Sequence, residues 1–155
     1  MYNDTPVTEF MTTDVLTVGP DDPIEQAVTR LAEKDVTGAP VVDPDGRYLG
    51  LIDDSDIVLS SSRVHAPSMV EILGIYFPVP GARHQFEEEV RHALANVVAD
   101  VMQTDAPTLG PGATLTDVAS AMVDHRVSRV TILNDNGRVM GLVSRGNLVN
   151  ALGRS

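Results

Sequence analysis

The sequence contains no cysteine, which excludes a disulfide framework, a thiolate metal site and a cysteine nucleophile. It also has no apolar run near the ~18 residues of a membrane-spanning helix, so no membrane partner is expected. The opening stretch, MYNDTPVTEF, has neither the basic segment nor the hydrophobic core of a secretory signal. These absences together predict a cytoplasmic protein.

Positive charge is also scarce. The chain has 11 Lys and Arg residues against 22 Asp and Glu residues, a net charge of −11, and Lys34 is its only lysine. Such a field opposes non-specific attraction to nucleic acid and to anionic membranes, so a nucleic-acid partner is not expected. The length of 155 residues and the apolar share of 43% fit one compact domain or two small lobes.

The chain repeats itself at an offset of 91 residues. Residues 11–56 align with residues 102–147 without a gap, with eleven identities in 46 positions. The identical pairs are Met11/Met102, Thr13/Thr104, Asp14/Asp105, Thr17/Thr108, Gly19/Gly110, Pro20/Pro111, Val36/Val127, Gly46/Gly137, Arg47/Arg138, Gly50/Gly141 and Leu51/Leu142. Such a repeat fixes the architecture, because one structural unit is built twice.

Each copy predicts the same series of elements. The apolar positions Ile24, Ala27, Val28 and Leu31 have helical spacing, and Leu115, Val118, Ala119 and Met122 repeat it. A β-branched run follows, APVVD or RVTIL, and then a turn, DPDG or NDNG, that is typical of a hairpin. The next run, RYLGLI or RVMGLV, leads into a short helix. The predicted order is a short strand, a helix, two strands and a helix, twice.

The repeats are predicted to occupy residues 1–58 and 99–155, with an inserted linker over residues 59–98. SSSRVHAPS indicates a loop, MVEILGIYF a short apolar element, and PVPGARHQ a break. The spacing then predicts an amphipathic helix over residues 86–101, which must bury its stripe against the lobes or a second subunit. The stripe consists of Phe86, Val90, Leu94, Val97 and Val101.

The stretches GAPVVD-x-DGRYLGLI-x-x-SD and VSRVTILNDNGRVMGLVSRGNL resemble a tandem pair of CBS domains, often called a Bateman module. The resemblance implies an α/β (α+β) fold in which two βαββα repeats pack about a pseudo-two-fold axis. It also implies two clefts that bind adenosine-type ligands: AMP, ADP, ATP or S-adenosylmethionine. Such modules sense ligands and regulate; they do not usually catalyse. Family members commonly pair as flat dimers through their helices, so a homodimer is expected.

The residues themselves support a ligand site at the end of each repeat. A strand that ends at Asp53 or Ser144 and leads into a helix leaves backbone N–H groups unpaired at the helix start, which favours an anion. A carboxylate one turn further on can accept hydrogen bonds from two ribose hydroxyls. Asp56 holds that position in the first repeat, and Asn147 holds it in the second.

The resemblance implies that each cleft uses residues of both repeats. The base would lie among valines and backbone groups, and the ribose on Asp56 or Asn147. No covalent cofactor is implied. The first cleft is predicted from Ile52, Asp53, Ser55, Asp56, Asp105, Pro107, Thr108, Val127, Ser128 and Arg129. The second is predicted from Asp14, Val15, Leu16, Val36, Thr37, Gly38, Val143, Ser144, Arg145, Gly146 and Asn147.

The two copies differ at the residues that would hold a ligand, so the clefts are not expected to be equivalent. An ionised Asp53 repels phosphate, whereas Ser144 with Arg145 nearby tolerates it. Arg129 can clamp a phosphate, and its counterpart Gly38 cannot. Asn147 lacks the charge-assisted hydrogen bonds of a carboxylate. We expect the first cleft to bind, with a ligand of little negative charge or a nucleotide that carries Mg²⁺.

Other interpretations of these residues stay open. Asp53 and Ser144 are good helix caps and Asp56 suits a first turn, so the corner can be structural. Arg129 can be a rim residue or pair with Asp53 across an empty cleft. The carboxylates of DDSD can gather Mg²⁺, although a strand end and a helix start point their side chains in different directions.

No catalytic constellation is found. His65, His84, His92 and His125 lack metal-ligand spacing, and the sequence contains no nucleophile elbow, phosphate-binding P-loop or dinucleotide-binding glycine motif. A non-enzymatic role is therefore expected. The rival to a ligand sensor is a scaffold, in which the clefts no longer bind and the inserted helix recruits a protein target.

Overall fold

The computed structural model describes residues 4–61, 69–72, 75–78 and 96–154, with side chains for residues 4–58 and 96–154. The elements of the first repeat are α1 (Ile24–Lys34), β1 (Gly38–Val42), β2 (Tyr48–Asp53) and α2 (Asp54–Ser61). Two strands of the linker follow, β3 (Met69–Ile72) and β4 (Ile75–Pro78). The second repeat contains β5 (Thr108–Leu109), α3 (Leu115–His125), β6 (Arg129–Leu133), β7 (Val139–Ser144) and α4 (Arg145–Gly153). The mixed α/β fold is as predicted, and so is the order of elements in each repeat, except that the described part of the first repeat has no strand before α1.

The long helix of each repeat packs through the apolar face that its spacing predicts. Ala27 and Leu31 are buried on α1, and Leu115, Val118 and Met122 are buried on α3. The two helices also end in the same way, because Asp35 and Arg126 adopt the left-handed conformation with φ of 57° and 54°. A non-glycine residue is strained there, and the strain occurs at the same position of both repeats.

The predicted hairpins are present in both repeats, and their turns have the same conformation. β1 pairs with β2, and β6 pairs antiparallel with β7 so that Arg129 lies opposite Ser144. The Asp43 carboxylate accepts hydrogen bonds from two backbone N–H groups of its turn, and the Asn134 side chain does the same in the second hairpin. Gly46 and Gly137 have φ of 86° and 76°, which explains the repeated glycine.

The short first strand differs between the repeats. In the second repeat Thr108 and Leu109 pair in parallel with Thr131 and Ile132. In the first repeat only the single bridge between Val18 and Val41 forms. Pro40 stands where the second repeat has Thr131, and proline has no N–H to donate to the neighbouring strand. The missing donor prevents the pairing from extending beyond one bridge.

The linker departs from the prediction at both ends of its described part. α2 continues through Ser61, so the predicted loop begins later than SSSRVHAPS suggested. The apolar stretch forms the antiparallel pair β3–β4, in which Met69 lies opposite Pro78. Residues 86–95 of the predicted helix lie outside the described residues.

The end of that predicted helix is wrong, because Val97 is extended and Val98–Asp100 is a 3-10 helix. The Asp100 carboxylate accepts hydrogen bonds from the backbone N–H groups of Asn96 and Val97 at 3.0 and 3.1 Å, which holds the chain in this turn. These two bonds lower the pKa of the exposed Asp100. Val98 is fully buried, although the predicted stripe did not include it.

The described chain divides into two compact units that do not coincide with the two repeats. Unit 1 comprises Met1–Pro20, Ala39–Leu51 and Gln103–Ser155, and unit 2 comprises Asp21–Gly38 and Ile52–Met102. The beginning of each repeat therefore belongs to the same unit as the long helix of the other repeat.

Hydrogen bonds within unit 1 show how the beginning of the first repeat is attached to the second repeat. Val7, in the 3-10 helix Val7–Glu9, donates its N–H to the Ala113 carbonyl at 2.9 Å, and Leu115 N–H donates to the Thr5 carbonyl at 2.9 Å. Thr12 and Leu142 exchange two backbone hydrogen bonds of 2.9 Å. The core of unit 1 consists of Val7, Val118, Met122, Val130, Ile132 and Val143. The leading segment of the first repeat thus completes the core of the second.

Unit 2 contains the equivalent hydrogen bonds between the beginning of the second repeat and the first repeat. Ile24 N–H donates to the Asn96 carbonyl at 3.1 Å, and Val98 N–H donates to the Asp22 carbonyl at 3.0 Å. Val98 is 91 residues after Val7, so the two 3-10 helices are equivalent parts of the repeat. The repeat therefore begins earlier than the aligned residues 11–56 and 102–147 indicated.

Candidate functional site

The first predicted corner, at the start of α2, is held by a network of carboxylate hydrogen bonds. Asp56 Oδ2 accepts a hydrogen bond from Asp53 N–H at 2.9 Å. Asp53 Oδ1 accepts hydrogen bonds from Ser55 N–H at 3.0 Å and from Ser55 Oγ–H at 2.6 Å. Asp56 is only 9% exposed, which is unusual for a carboxylate. This geometry combines a helix cap with a buried acidic group.

The second corner has the same geometry without the charge. Asn147 Oδ1 accepts hydrogen bonds from Ser144 N–H and Ser144 Oγ–H, both at 2.9 Å. Thr12 Oγ–H approaches the same oxygen at 3.4 Å. Because these groups donate, the amide oxygen of Asn147 must face them, and its NH₂ group points the other way. The second corner therefore lacks the anionic acceptor that Asp56 supplies in the first.

Thr108 and Arg129 of the predicted first cleft and Ser144 of the predicted second cleft lie on one face of the sheet in unit 1. Along β6, Val130 and Ile132 face the core, so Arg129 and Thr131 lie on the opposite face. Thr108 is the neighbour of Thr131 across the β5–β6 pair, and Ser144 is the neighbour of Arg129 across the β6–β7 pair. Arg129 is 8% exposed and Thr131 is 1% exposed. This face of the sheet is therefore both polar and buried.

Tyr48 and Thr131 belong to this cluster, and neither was predicted from the sequence. Burial raises the pKa of Tyr48 above 10.0; the neighbouring Thr131 hydroxyl lowers it, and the charge of Asp105 raises it further. Tyr48 begins β2 and fits an ordinary strand pattern, which hid it. A signal was present in the repeat, since the equivalent of Tyr48 is Val139 and the equivalent of Thr131 is Pro40.

The predicted residues are distributed over both units. Unit 2 holds Val36, Thr37, Gly38, Ile52, Asp53, Ser55 and Asp56, and unit 1 holds the other fourteen. Ile52 and Val143 are fully buried, so their side chains serve the interior. Within unit 1, Arg145 N–H donates to the Ser128 carbonyl at 3.0 Å, which joins residues predicted for different clefts. The grouping of these residues into two clefts stays a prediction.

Unit 2 also contains an apolar groove of about 210 Å³ beside α1 and α2. Val28 and Leu31 of α1 and Val58 of α2 line it, together with Val36 and Thr37 of the predicted second cleft. Asp54 is the only charged residue of its lining. The groove suits an apolar side chain better than a phosphate.

Among the residues that the structure describes, no group of three or more His, Cys, Asp or Glu side chains is arranged to hold a metal ion. No helix in the described ranges is long and apolar enough to cross a membrane.

The sequence matches the family model of the CBS domain twice, over residues 7–62 and 98–154. The chain belongs to the CBS-domain family. Each match begins at a 3-10 helix, Val7–Glu9 or Val98–Asp100, and that helix belongs to the same unit as the long helix of the other repeat.

Curated relatives of this CBS-domain protein extend along most of the chain. An uncharacterized protein of Methanocaldococcus jannaschii is 32% identical over 132 residues, which cover 81% of this chain and 79% of that protein. The chloroplastic CBS domain-containing protein CBSX1 of Arabidopsis thaliana is 30% identical over 94% of this chain and 63% of its own length. The chain thus spans a little under two thirds of the Arabidopsis relative.

Solved structures of CBS pairs share the fold. CBSX2 in complex with AMP has a TM-score of 0.72 and 22% identity, with 97% of each chain covered. The CBS domain pair of protein MJ0100, in complex with 5′-methylthioadenosine and S-adenosyl-L-methionine, has a TM-score of 0.72 and 19% identity, with 97% of each chain covered. The two-repeat CBS fold predicted from the sequence is thereby confirmed.

Proposed function

We propose that this CBS-domain protein is a regulatory module that binds an adenosine-containing ligand, chiefly through the first predicted cleft. The observation that carries the proposal is Asp56, a carboxylate only 9% exposed and fixed by the Asp53 N–H group at the start of α2. A carboxylate accepts hydrogen bonds on two oxygens, and vicinal ribose hydroxyls are suitable donors. The AMP complex of CBSX2 and the S-adenosyl-L-methionine complex of MJ0100 support this ligand class.

Arg129 is the second element of the proposal. It is buried on the polar face of β6 in unit 1, and its guanidinium suits a phosphate or a carboxylate of a ligand. The first repeat has Gly38 at the equivalent position, so only one of the two clefts has this cation. Ligand binding would shift the module between states only as far as its affinity for those states differs.

The sharpest test replaces Asp56 by asparagine, because the protein itself shows that asparagine supports this turn at position 147. Asp56→Asn keeps an oxygen for the Asp53 N–H group and removes the charge. Titration calorimetry with AMP, with ATP in the presence and absence of Mg²⁺, and with S-adenosylmethionine should show a loss of about one to two decades in affinity for the ligand that binds the wild type.

Asp54→Asn is the matched control, since it removes the same charge two residues away at an exposed position. It should leave the dissociation constant within about twofold of the wild-type value. Equal binding by Asp56→Asn and wild type would refute the role of Asp56.

A scaffold is the second candidate, and the neutral Asn147 corner favours it. A scaffold needs no adenosine ligand, and a ligand that binds only the folded protein must stabilise it. Thermal unfolding with a panel of adenosine compounds distinguishes the two functions. A wild-type protein whose melting temperature is unchanged by every compound is a scaffold.

We also propose that two copies of the chain associate through their helices. Val58 on α2 is 68% exposed, and its equivalent on α4, Val149, is 64% exposed. A repeated, exposed apolar position suits a symmetric interface, in which the same surface is used by both copies. Val58→Glu and Val149→Glu should convert a dimer to a monomer in light-scattering measurements, whereas Asn150→Glu, which adds a charge beside Val149, should not.

A further inference from the structure

The polar face of β6 in unit 1 contains two hydroxyls whose burial the fold does not explain. Thr131 is 1% exposed, and neither its Oγ nor the Tyr48 Oη has a hydrogen-bond partner of acceptable geometry among the described residues. The two side chains are neighbours, since the Thr131 hydroxyl acts on the Tyr48 phenol. Buried polar groups without partners destabilise a protein, so their presence here requires a reason.

The internal repeat supplies a comparison within the same chain. The equivalent of Tyr48 is Val139 and the equivalent of Thr131 is Pro40, so neither equivalent side chain carries a hydroxyl. Both of these residues also belong to unit 1, and Pro40 is fully buried there. The CBS repeat can therefore be built with apolar side chains at these two positions. A purely structural role does not account for the hydroxyl pair.

The surroundings of the pair belong to the predicted first cleft. Thr108 is the neighbour of Thr131 across the strands, and Arg129 lies two residues before it on the same face. Asp105 is close enough for its charge to act on Tyr48. Three of the residues predicted for that cleft thus border the hydroxyls. In the first repeat the residue two positions before Pro40 is Gly38, which has no side chain to offer a ligand.

We propose that Tyr48 and Thr131 recognise the adenine base of the ligand in the first cleft. This inference rests on the proposed function and assigns it a specificity determinant. A hydroxyl both donates and accepts a hydrogen bond, and the amino edge of adenine offers one donor next to one acceptor. Tyr48 is partly exposed as a residue, while its Oη is buried next to Thr131. Hydrogen bonds made there are shielded from water and discriminate strongly.

The test compares AMP with purine riboside 5′-monophosphate, which lacks the exocyclic amino group and is otherwise the same ligand. The wild type should prefer AMP by about tenfold, and Tyr48→Phe and Thr131→Val should each abolish most of that preference. Binding of purine riboside 5′-monophosphate should be nearly unchanged in both variants. Thr29→Val, on the exposed face of α1, is the control for the threonine substitution and should keep the wild-type ratio.

The possible failures are distinguishable. If the wild type binds none of AMP, ATP and S-adenosylmethionine, the proposed function fails, and this inference fails with it. If it binds ATP and not AMP, the same comparison is made with the two corresponding triphosphates. If the wild type binds AMP and both variants keep its preference over the analogue, the function stands and the inference is wrong. A lower melting temperature of the ligand-free variants with an unchanged preference would also overturn it, because the hydroxyls would then serve the fold or hold a buried water.

Discussion

Gly141→Ala tests the reason for the repeated glycine in the second strand of each hairpin. Thr12 pairs with Leu142, so the leading segment crosses β7 at Gly141. A Cβ atom added to Gly141 would overlap Met11 Sδ and lie 2.8 Å from Met11 Cγ and 3.2 Å from Met11 Cβ. Met11 packs against the core of unit 1, so its side chain must shift within that packing to relieve the contact. Alanine should therefore loosen the packing of the leading segment.

The expected cost follows from two opposing terms. Overpacking in a core typically costs about 1–3 kcal/mol, and the reduced entropy of the unfolded chain returns about 0.4–1 kcal/mol. The net loss should be about 1–2 kcal/mol, or a fall of about 2–8 °C in melting temperature for a chain of this size. Urea unfolding and calorimetry of the wild type and variant measure both quantities. Gly112→Ala, where a Cβ meets nothing within 4 Å, is the matched control and should be neutral or slightly stabilising.

A double-mutant cycle isolates the contact itself. In the background of Met11→Ala the clash partner is shortened to its Cβ, so the cost of Gly141→Ala should fall by at least half. An equal cost in both backgrounds would show that Met11 is not the obstacle. A Gly141→Ala protein as stable as Gly112→Ala would refute the packing argument altogether.

Three other predictions concern single positions. Asn147→Asp should create a second carboxylate corner, which Thr12 and Ser144 can still support, and raise the ligand stoichiometry measured by calorimetry from one towards two per chain. Arg126→Gly should stabilise the protein by about 0.5–1 kcal/mol in urea unfolding, because glycine relieves the left-handed strain at φ of 54°; a loss of stability would show that the Arg126 side chain contributes more than its backbone strain costs. Burial raises the pKa of Tyr48 because the folded protein resists ionisation of its phenol, so the stability of the wild type should fall as the pH rises from about 10 through the raised pKa, and Tyr48→Phe should not show this loss; parallel pH profiles of the two proteins would contradict the assignment.

The sequence predicted the elements whose causes are local. Residues close together in the chain specify each of these features. They are the helical spacing around Leu31 and Met122, the glycine turns at Gly46 and Gly137, and the capping residues Asp53 and Ser144. The repeat made each of these predictions twice, which is why the CBS fold could be named from the residues alone. The two corners were located in the same way, including the loss of charge at Asn147.

The sequence did not predict the elements whose causes lie far away. Val97 and Val101 continue an apolar helical stripe in the sequence, yet the backbone groups of Asn96 and Val98 form hydrogen bonds with residues 24 and 22, more than 70 positions earlier. Pro40 limits the first strand of the first repeat by removing a donor that only a partner strand would use. Tyr48 was missed because its hydroxyl matters only beside Thr131, which lies in the other repeat.

The exchange of leading segments has a consequence for how such proteins can be divided. Cutting the chain between the copies would give two fragments. The first would carry Val7 without the α3 residues that bury it, and the second would carry Val98 without the start of α1 that binds it. A polypeptide with one copy can satisfy these contacts only by borrowing the opening turn of another molecule. When two copies are joined in one chain, each opening turn packs within the same molecule, so folding no longer depends on the concentration of the protein.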